Sequence, residues 1–255
     1  MRSTSRSWGA HARPWSPHAD HEDADRIIAA VNATLVIPAL NEAGAIGDLV
    51  RRVPAGAVRE VIVVDNGSTD ATAVVAASAG ARVVREPRRG YGAACWAGVS
   101  AVSADTDVVA FLDGDGSQSP EELPKILEPI ARGRADFVLG ARRRADGHPA
   151  HAALGTQLIA RLIAWRHGVR VTDIPPFRAI RIDLLRELDM RDRAFGWPGE
   201  MVAKAAARGA RIVEVIVSHR PRVAGRSKVS GTVVGSLRAG YAFFVIALRT
   251  TKGAA

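Results

Sequence analysis

Two carboxylates stand two residues apart in the segment Phe111-Leu112-Asp113-Gly114-Asp115-Gly116. Glycine between and after them lets the backbone turn so that Asp113 and Asp115 reach one hard cation. Mg2+ or Mn2+ suits such a pair, keeping waters and sharing its other positions with phosphate oxygens. A plain Gly/Asp turn has the same composition. An EF-hand does not fit: counted from Asp113, position 6 is Gln118 and position 12 is Pro124. Two other phosphate signatures fail as well. No G-x-x-x-x-G-K-[ST] run occurs, which excludes a P-loop ATPase. Gly90-Tyr91-Gly92-Ala93-Ala94-Cys95 lacks the third glycine of a dinucleotide fingerprint, although the helix it opens could present its N-terminus to a diphosphate.

The elements that must position these residues alternate in type. Short apolar runs predict strands at 33–37, 60–64, 81–84, 107–112 and 136–140. Helical spacing predicts helices over 42–53, 70–78, 91–102 and 120–131. Strands that are apolar throughout, alternating with helices, indicate an α/β fold with a mostly parallel central sheet and helices on both faces. Ligands of such sheets bind beyond the carboxyl ends of the strands, where the polar and Gly-rich clusters of this chain fall. After residue 150 the alternation breaks down. A helix is expected over 153–166, extended chain over 169–182, a helix over 198–207, a strand over 211–217 and a last helix over 232–249.

At 255 residues, 47% apolar and 24% charged, the chain is neither disordered, collagenous nor a polytopic membrane protein. A single cysteine, Cys95, excludes an internal disulfide framework and a Cys-cluster zinc site, and fits a reducing cytoplasm. No signal peptide is expected. The net charge of +9 is uneven. Residues 136–255 hold 21 Lys and Arg against 9 Asp and Glu, a net of +12, so this half expects an anion. Aromatics are too few for base-stacking, which argues against nucleic acid. Residues 1–31 read as a disordered tail and 32–255 as a single domain: 32–145, 146–230 and a C-terminal amphipathic helix in 231–255. The longest apolar run there, Tyr241 to Leu248, is eight residues, too short to span a bilayer. Its apolar stripe fits core packing or an interfacial helix.

Four segments together resemble a known family. Val36-Ile37-Pro38-Ala39-Leu40-Asn41-Glu42, Val63-Val64-Asp65-Asn66-Gly67-Ser68-Thr69-Asp70, Arg89-Gly90-Tyr91-Gly92-Ala93 and the Asp113/Asp115 pair are similar, in order and spacing, to the nucleotide-sugar half of an inverting GT-A glycosyltransferase of family 2. Phe177-Arg178-Ala179, the segment Gly196 to Met201, and Gly225-Arg226-Ser227-Lys228 resemble the dolichyl- or polyprenyl-phosphate mannosyltransferase and glucosyltransferase branch. Two departures stand out: Pro176 replaces a glycine common before Phe-Arg-Ala, and Ser117 holds the glutamine position of Asp-x-Asp-x-Gln.

The resemblance implies a hexosyltransferase that uses a GDP- or UDP-hexose donor, a phosphorylated lipid acceptor, and Mg2+ or Mn2+ on Asp113 and Asp115. Pro38, Ala39, Asn41, Glu42, Asp65 and Gly90 would bind the nucleotide sugar. Asp115, Glu200 and Arg178 would serve catalysis, with Arg178, Arg142, Arg226, Ser227 and Lys228 facing the acceptor. Glu200 would position groups, or act as general base if the acceptor is a hydroxyl. A non-catalytic nucleotide-sugar or nucleic-acid binder is the remaining alternative. The expected location is cytoplasmic, or peripheral at the inner face of the membrane.

Overall fold

A computed structural model describes residues 20–142, 160, 161, 163 and 165–222. Its sheet contains β1 (Ala33–Ala39), β2 (Glu60–Asp65), β3 (Arg82–Arg85), β4 (Val108–Phe111), β5 (Phe137–Arg142), β6 (Arg178–Arg181) and β7 (Ile212–Val217), in the order β3-β2-β1-β4-β6-β5-β7. All neighbours run parallel except β6, which is antiparallel to both β4 and β5. The mostly parallel sheet expected from the apolar runs is therefore present.

Alternation along the strands divides the core into two layers. Val36 of β1 faces one side with α4 (Tyr91–Ala101), α6 (Ile182–Glu187) and α7 (Trp197–Ala207). Leu35 and Ile37 face the other, with α1 (Asp20–Ala29), α2 (Ala43–Arg51), α3 (Thr72–Ser78) and α5 (Leu123–Ala131). With both faces covered, every residue of β4 is buried, which is why its sequence is apolar throughout. On the first side the α4–α7 contact is aromatic: the Trp96 and Trp197 rings meet edge-on at 6.0 Å, and the Arg193 guanidinium covers Trp96 at 4.7 Å.

Two features differ from expectation. Residues 20–29, assigned to the tail, form α1, which packs against α5 with Ile28 only 2% exposed. Its polar composition hid it, because two adjacent isoleucines make no repeating period. The stretch read as extended over 169–182 holds only the four-residue β6, and α6 follows it directly. Of the helix expected over 153–166, residues 160, 161, 163 and 165–167 are helical. The rest of it and the helix expected over 232–249 lie outside the described residues. No described helix is long and apolar enough to cross a membrane.

Candidate functional site

Register brings the chemical residues to one edge of the sheet. Ala39 of β1 pairs with Asp65 of β2, Val36 with Phe111 of β4, and Phe111 with Arg178 of β6. The carboxyl ends of β1, β2 and β4 and the amino end of β6 therefore lie together.

The β1 and β2 loops lock onto each other. Asn41 adopts φ +52°, a left-handed conformation that asparagine tolerates. Its Oδ1 accepts the Thr69 N–H at 2.8 Å, and its own N–H donates to Ser68 Oγ at 3.0 Å. Asp65 accepts the Ser68 N–H at 2.9 Å. The Glu42 N–H donates to Thr72 Oγ1 at 2.8 Å, which directs the Glu42 backbone into α2. Pro38 and Ala39 form the wall on which Gly114 rests; a Cβ there would lie 3.3 Å from Pro38 O and 3.4 Å from Ala39 Cβ.

Asp113 follows β4 by two residues. Burial, then the neighbouring Asp115 charge, push its carboxyl up to about 7, with the Arg178 guanidinium acting the other way. Its Oδ1 is buried and has no hydrogen-bond partner among the described residues. Its N–H donates to Gln118 Oε1 at 3.3 Å. Burial also acts to raise Asp115, but hydrogen bonds from Ser117 and the Arg222 guanidinium prevail and hold it below the usual carboxylate range. Arg222 Nε lies 2.8 Å from Asp115 Oδ2, and Arg222 Nη2 lies 3.4 Å from Glu42 Oε1.

The chemistry of this pair fits a hard divalent cation. Both ligands are carboxylates, one has a buried oxygen without a partner, and the described residues contain no larger His/Cys/Asp/Glu cluster. Such a pair leaves most coordination positions to water and phosphate oxygens, as Mg2+ and Mn2+ allow.

Arg178, expected at the acceptor, lies wholly inside the molecule. Its guanidinium sits 4.9 Å from the Phe111 ring centroid and 6.0 Å from that of Tyr91, and Nη1 donates to the carbonyls of Pro175 and Pro176. Nε and Nη2 have no hydrogen-bond partner among the described residues. Pairing opposite Phe111 places the side chain inside the molecule, where its charge acts on the Asp113 carboxyl.

Gly90, expected at the nucleotide sugar, holds a backbone crossing. Its φ is +152°, and a Cβ there would lie 2.2 Å from the Arg193 carbonyl oxygen, so only glycine fits. Its N–H donates to Asn66 Oδ1 at 2.8 Å. The Gly92 and Ala93 N–H groups donate to Ala194 O and Arg193 O. These two first-turn amides of α4 are thus occupied by protein carbonyls, against the expectation that the helix N-terminus presents them to a diphosphate.

Glu200, 4% exposed, clamps the loop before α7. Its carboxylate accepts the Arg191 N–H at 3.0 and 3.1 Å and the Asp192 N–H at 2.8 Å, and Lys204 Nζ lies 2.7 Å away. Arg142, expected at the acceptor, forms a two-pronged pair with Asp173 at 2.8 and 2.7 Å, both side chains 14% exposed. Arg226, Ser227 and Lys228 lie outside the described residues. Two residues escaped the sequence reading. Asn66, buried at the end of β2, ties the 86–90 loop through Glu86 O, Arg88 O and Gly90 N–H; its place in the Asp65-Asn66-Gly67 turn was the available signal. Arg222 stood among 31 arginines with no signal of its own.

A mostly parallel sheet whose strand ends gather two interlocked loops and an Asp-x-Asp turn defines a glycosyltransferase of the GT-A class. Residues 34–189 match the model of glycosyl transferase family 2, and the chain belongs to that family. It is 45% identical over 206 residues to an uncharacterized glycosyltransferase of Mycobacterium tuberculosis, covering 80% of this chain and 92% of that one. It is 33% identical over 195 residues to the undecaprenyl-phosphate mannosyltransferase of Micrococcus luteus, covering 69% and 78%. Among solved structures, glucosyl-3-phosphoglycerate synthase of Mycobacterium tuberculosis with Mn2+, UDP and glucosyl-3-phosphoglycerate superposes with a TM-score of 0.72 at 24% identity, covering 94% and 86%. That synthase has also been crystallised with Mg2+ and UDP.

Proposed function

We propose that the domain expected over residues 32–255, joined by α1, is catalytic and transfers a hexose from a GDP- or UDP-sugar to polyprenyl phosphate or a related phosphate acceptor. The observation that carries this reading is the state of Glu200. A general base needs an available lone pair within reach of a hydroxyl proton. Both Glu200 oxygens accept backbone N–H groups, Lys204 pairs with the carboxylate, and the side chain is buried. A phosphate monoester acceptor needs no base, because its second pKa is about 6 and its oxygen is already ionised. The name of the Micrococcus relative supports the same acceptor class.

In this reading the acceptor oxygen attacks C1 of the sugar in line. The new O–C1 bond forms as the bond to the diphosphate breaks, and the electron pair leaves with the nucleoside diphosphate. Mg2+ or Mn2+ on Asp113 and Asp115 would neutralise the developing charge on the leaving group. Asn41, Glu42 and Asp65 shape the nucleotide pocket through their loop bonds. Arg178 places a buried positive charge under Asp113 and favours its ionised form. Glu200 fixes the 191–194 loop against α4. Arg226, Ser227 and Lys228 would meet the acceptor phosphate. With a lipid acceptor, the enzyme would work at the inner face of the membrane.

Glu200→Gln tests the acceptor class. With a phosphate acceptor kcat should fall less than about tenfold, although the amide meets two backbone N–H donors and should lower stability by about 1–3 kcal/mol. A loss of roughly 10²–10⁴-fold in kcat, with a correctly folded variant, would instead assign Glu200 as base for a hydroxyl acceptor.

A further inference from the structure

Residues 218–222 leave β7 and form a strap across the loop that carries Asp113 and Asp115. The Ser218 N–H and hydroxyl both donate to Glu122 Oε2 at 2.7 Å. Gln118 and His219 form an antiparallel bridge, and the Arg220 N–H donates to Ser117 O at 2.8 Å. The strap delivers the Arg222 guanidinium between two carboxylates from separate loops, Asp115 at 2.8 Å and Glu42 at 3.4 Å. The Asp115 and Glu42 side chains are 9% and 7% exposed. Buried carboxylates require a compensating charge, and here a residue of the chain contributes it.

Asp115 Oδ1 is already committed to the Ser117 N–H at 2.9 Å, and Oδ2 is the oxygen that Arg222 holds. A divalent ion arriving at Oδ2 would face a guanidinium bonded to the same atom, and the two positive charges repel. We propose that Arg222 is an internal counter-cation that competes with the divalent ion for Asp115, so that metal binding and strap docking oppose each other. This rests on the reading of Asp115 as a metal ligand. Coupling of this kind is reciprocal: what Arg222 takes from the metal's affinity, the metal takes from the strap. The ligand-free enzyme thereby keeps its donor-site carboxylates compensated, and occupation of the site frees Arg222 and the strap that carries it.

The test uses Mn2+ alone, titrated against the free Mn2+ signal in electron paramagnetic resonance, with wild type, Arg222→Gln and Asp115→Asn. Arg222→Gln should bind Mn2+ roughly tenfold more tightly, within the 5–150-fold span of ordinary coupling. In wild type, Mn2+ should speed hydrogen exchange at the Arg220 amide, which requires no variant to fold. Unchanged or weaker binding by a folded Arg222→Gln, or an Arg220 amide indifferent to Mn2+, overturns the proposal. If Asp115→Asn binds Mn2+ as well as wild type, the metal assignment itself fails, and the two failures are told apart.

Discussion

Asp113 holds a proton that an ordinary aspartate would lose. The unfolded carboxyl titrates near 3.9, while in the fold burial and the Asp115 charge lift it to about 7. Between roughly pH 4 and 7 the native state thus binds more protons than the unfolded chain, so its stability falls as pH rises through that window. Above it the full penalty of an ionised, buried carboxylate remains. Asp113→Asn should therefore stabilise the metal-free protein at pH 8 by roughly 2–4 kcal/mol and change it little at pH 4. Thermal unfolding in EDTA at the two pH values decides this; equal shifts at both would refute it. Arg178 and Glu200 belong to the same scale. Their side chains were legible as charged groups near a site, but their burial and partners were not. What a charge faces depends on the strand or helix opposite it, and Phe111 and the 191–192 backbone occupy those places here.

At the scale of elements, α4 is the piece that joins the two halves. Its first turn is bonded to the carbonyls of residues 193 and 194, and its middle rests on the sheet at Gly98. A Cβ at Gly98 would lie 2.3 Å from Val36 Cγ1 and 3.1 Å from Val64 Cγ2, deep in the β1–β2 surface. Gly98→Ala should cost about 1–3 kcal/mol through overpacking, despite the roughly 1 kcal/mol that alanine gains in helix propensity. Denaturant midpoints measure the loss, and Val36→Ala in the same chain should recover part of it. A stabilised Gly98→Ala would mean that α4 does not lie so close to the sheet. The helices α2 to α5 and α7 were readable from their spacing, and the parallel strands from their apolar runs. The strand β6 was legible only as part of an extended stretch, because the neighbours that make it a strand, β4 and β5, come from elsewhere in the chain.

For the whole molecule, the net charge of +12 in residues 136–255 survives the ion pairs formed there, because it already counts their acids. Arg142 pairs with Asp173, Arg181 and Arg211 with Asp136, Arg191 with Asp189 and Lys204 with Glu200, all within this half. Arg222 pairs with Asp115, which lies outside it. This half therefore contains more cations than its own acids can neutralise. If the proposed acceptor lies in a membrane, binding to phosphatidylglycerol vesicles should weaken several-fold between about 0.1 and about 1 M salt, where the screening length drops from about 10 to about 3 Å. Sedimentation with vesicles measures it, and salt-independent or absent binding would argue against an anionic surface.

By itself the sequence determined the alternating α/β plan, the order of the loop motifs and the Asp113/Asp115 turn, because each rests on neighbours within a dozen residues. Only the tertiary structure decided which charges meet. Arg222 reaches Asp115 across 107 residues and Glu42 across 180, and no local pattern encodes such a contact. It follows from sheet order: β7 ends at the same edge as β1 and β4, and the chain leaving it has the Asp113–Ser119 loop to pair with. The strand sequence specifies burial and direction, whereas the packing of all seven strands specifies the partner.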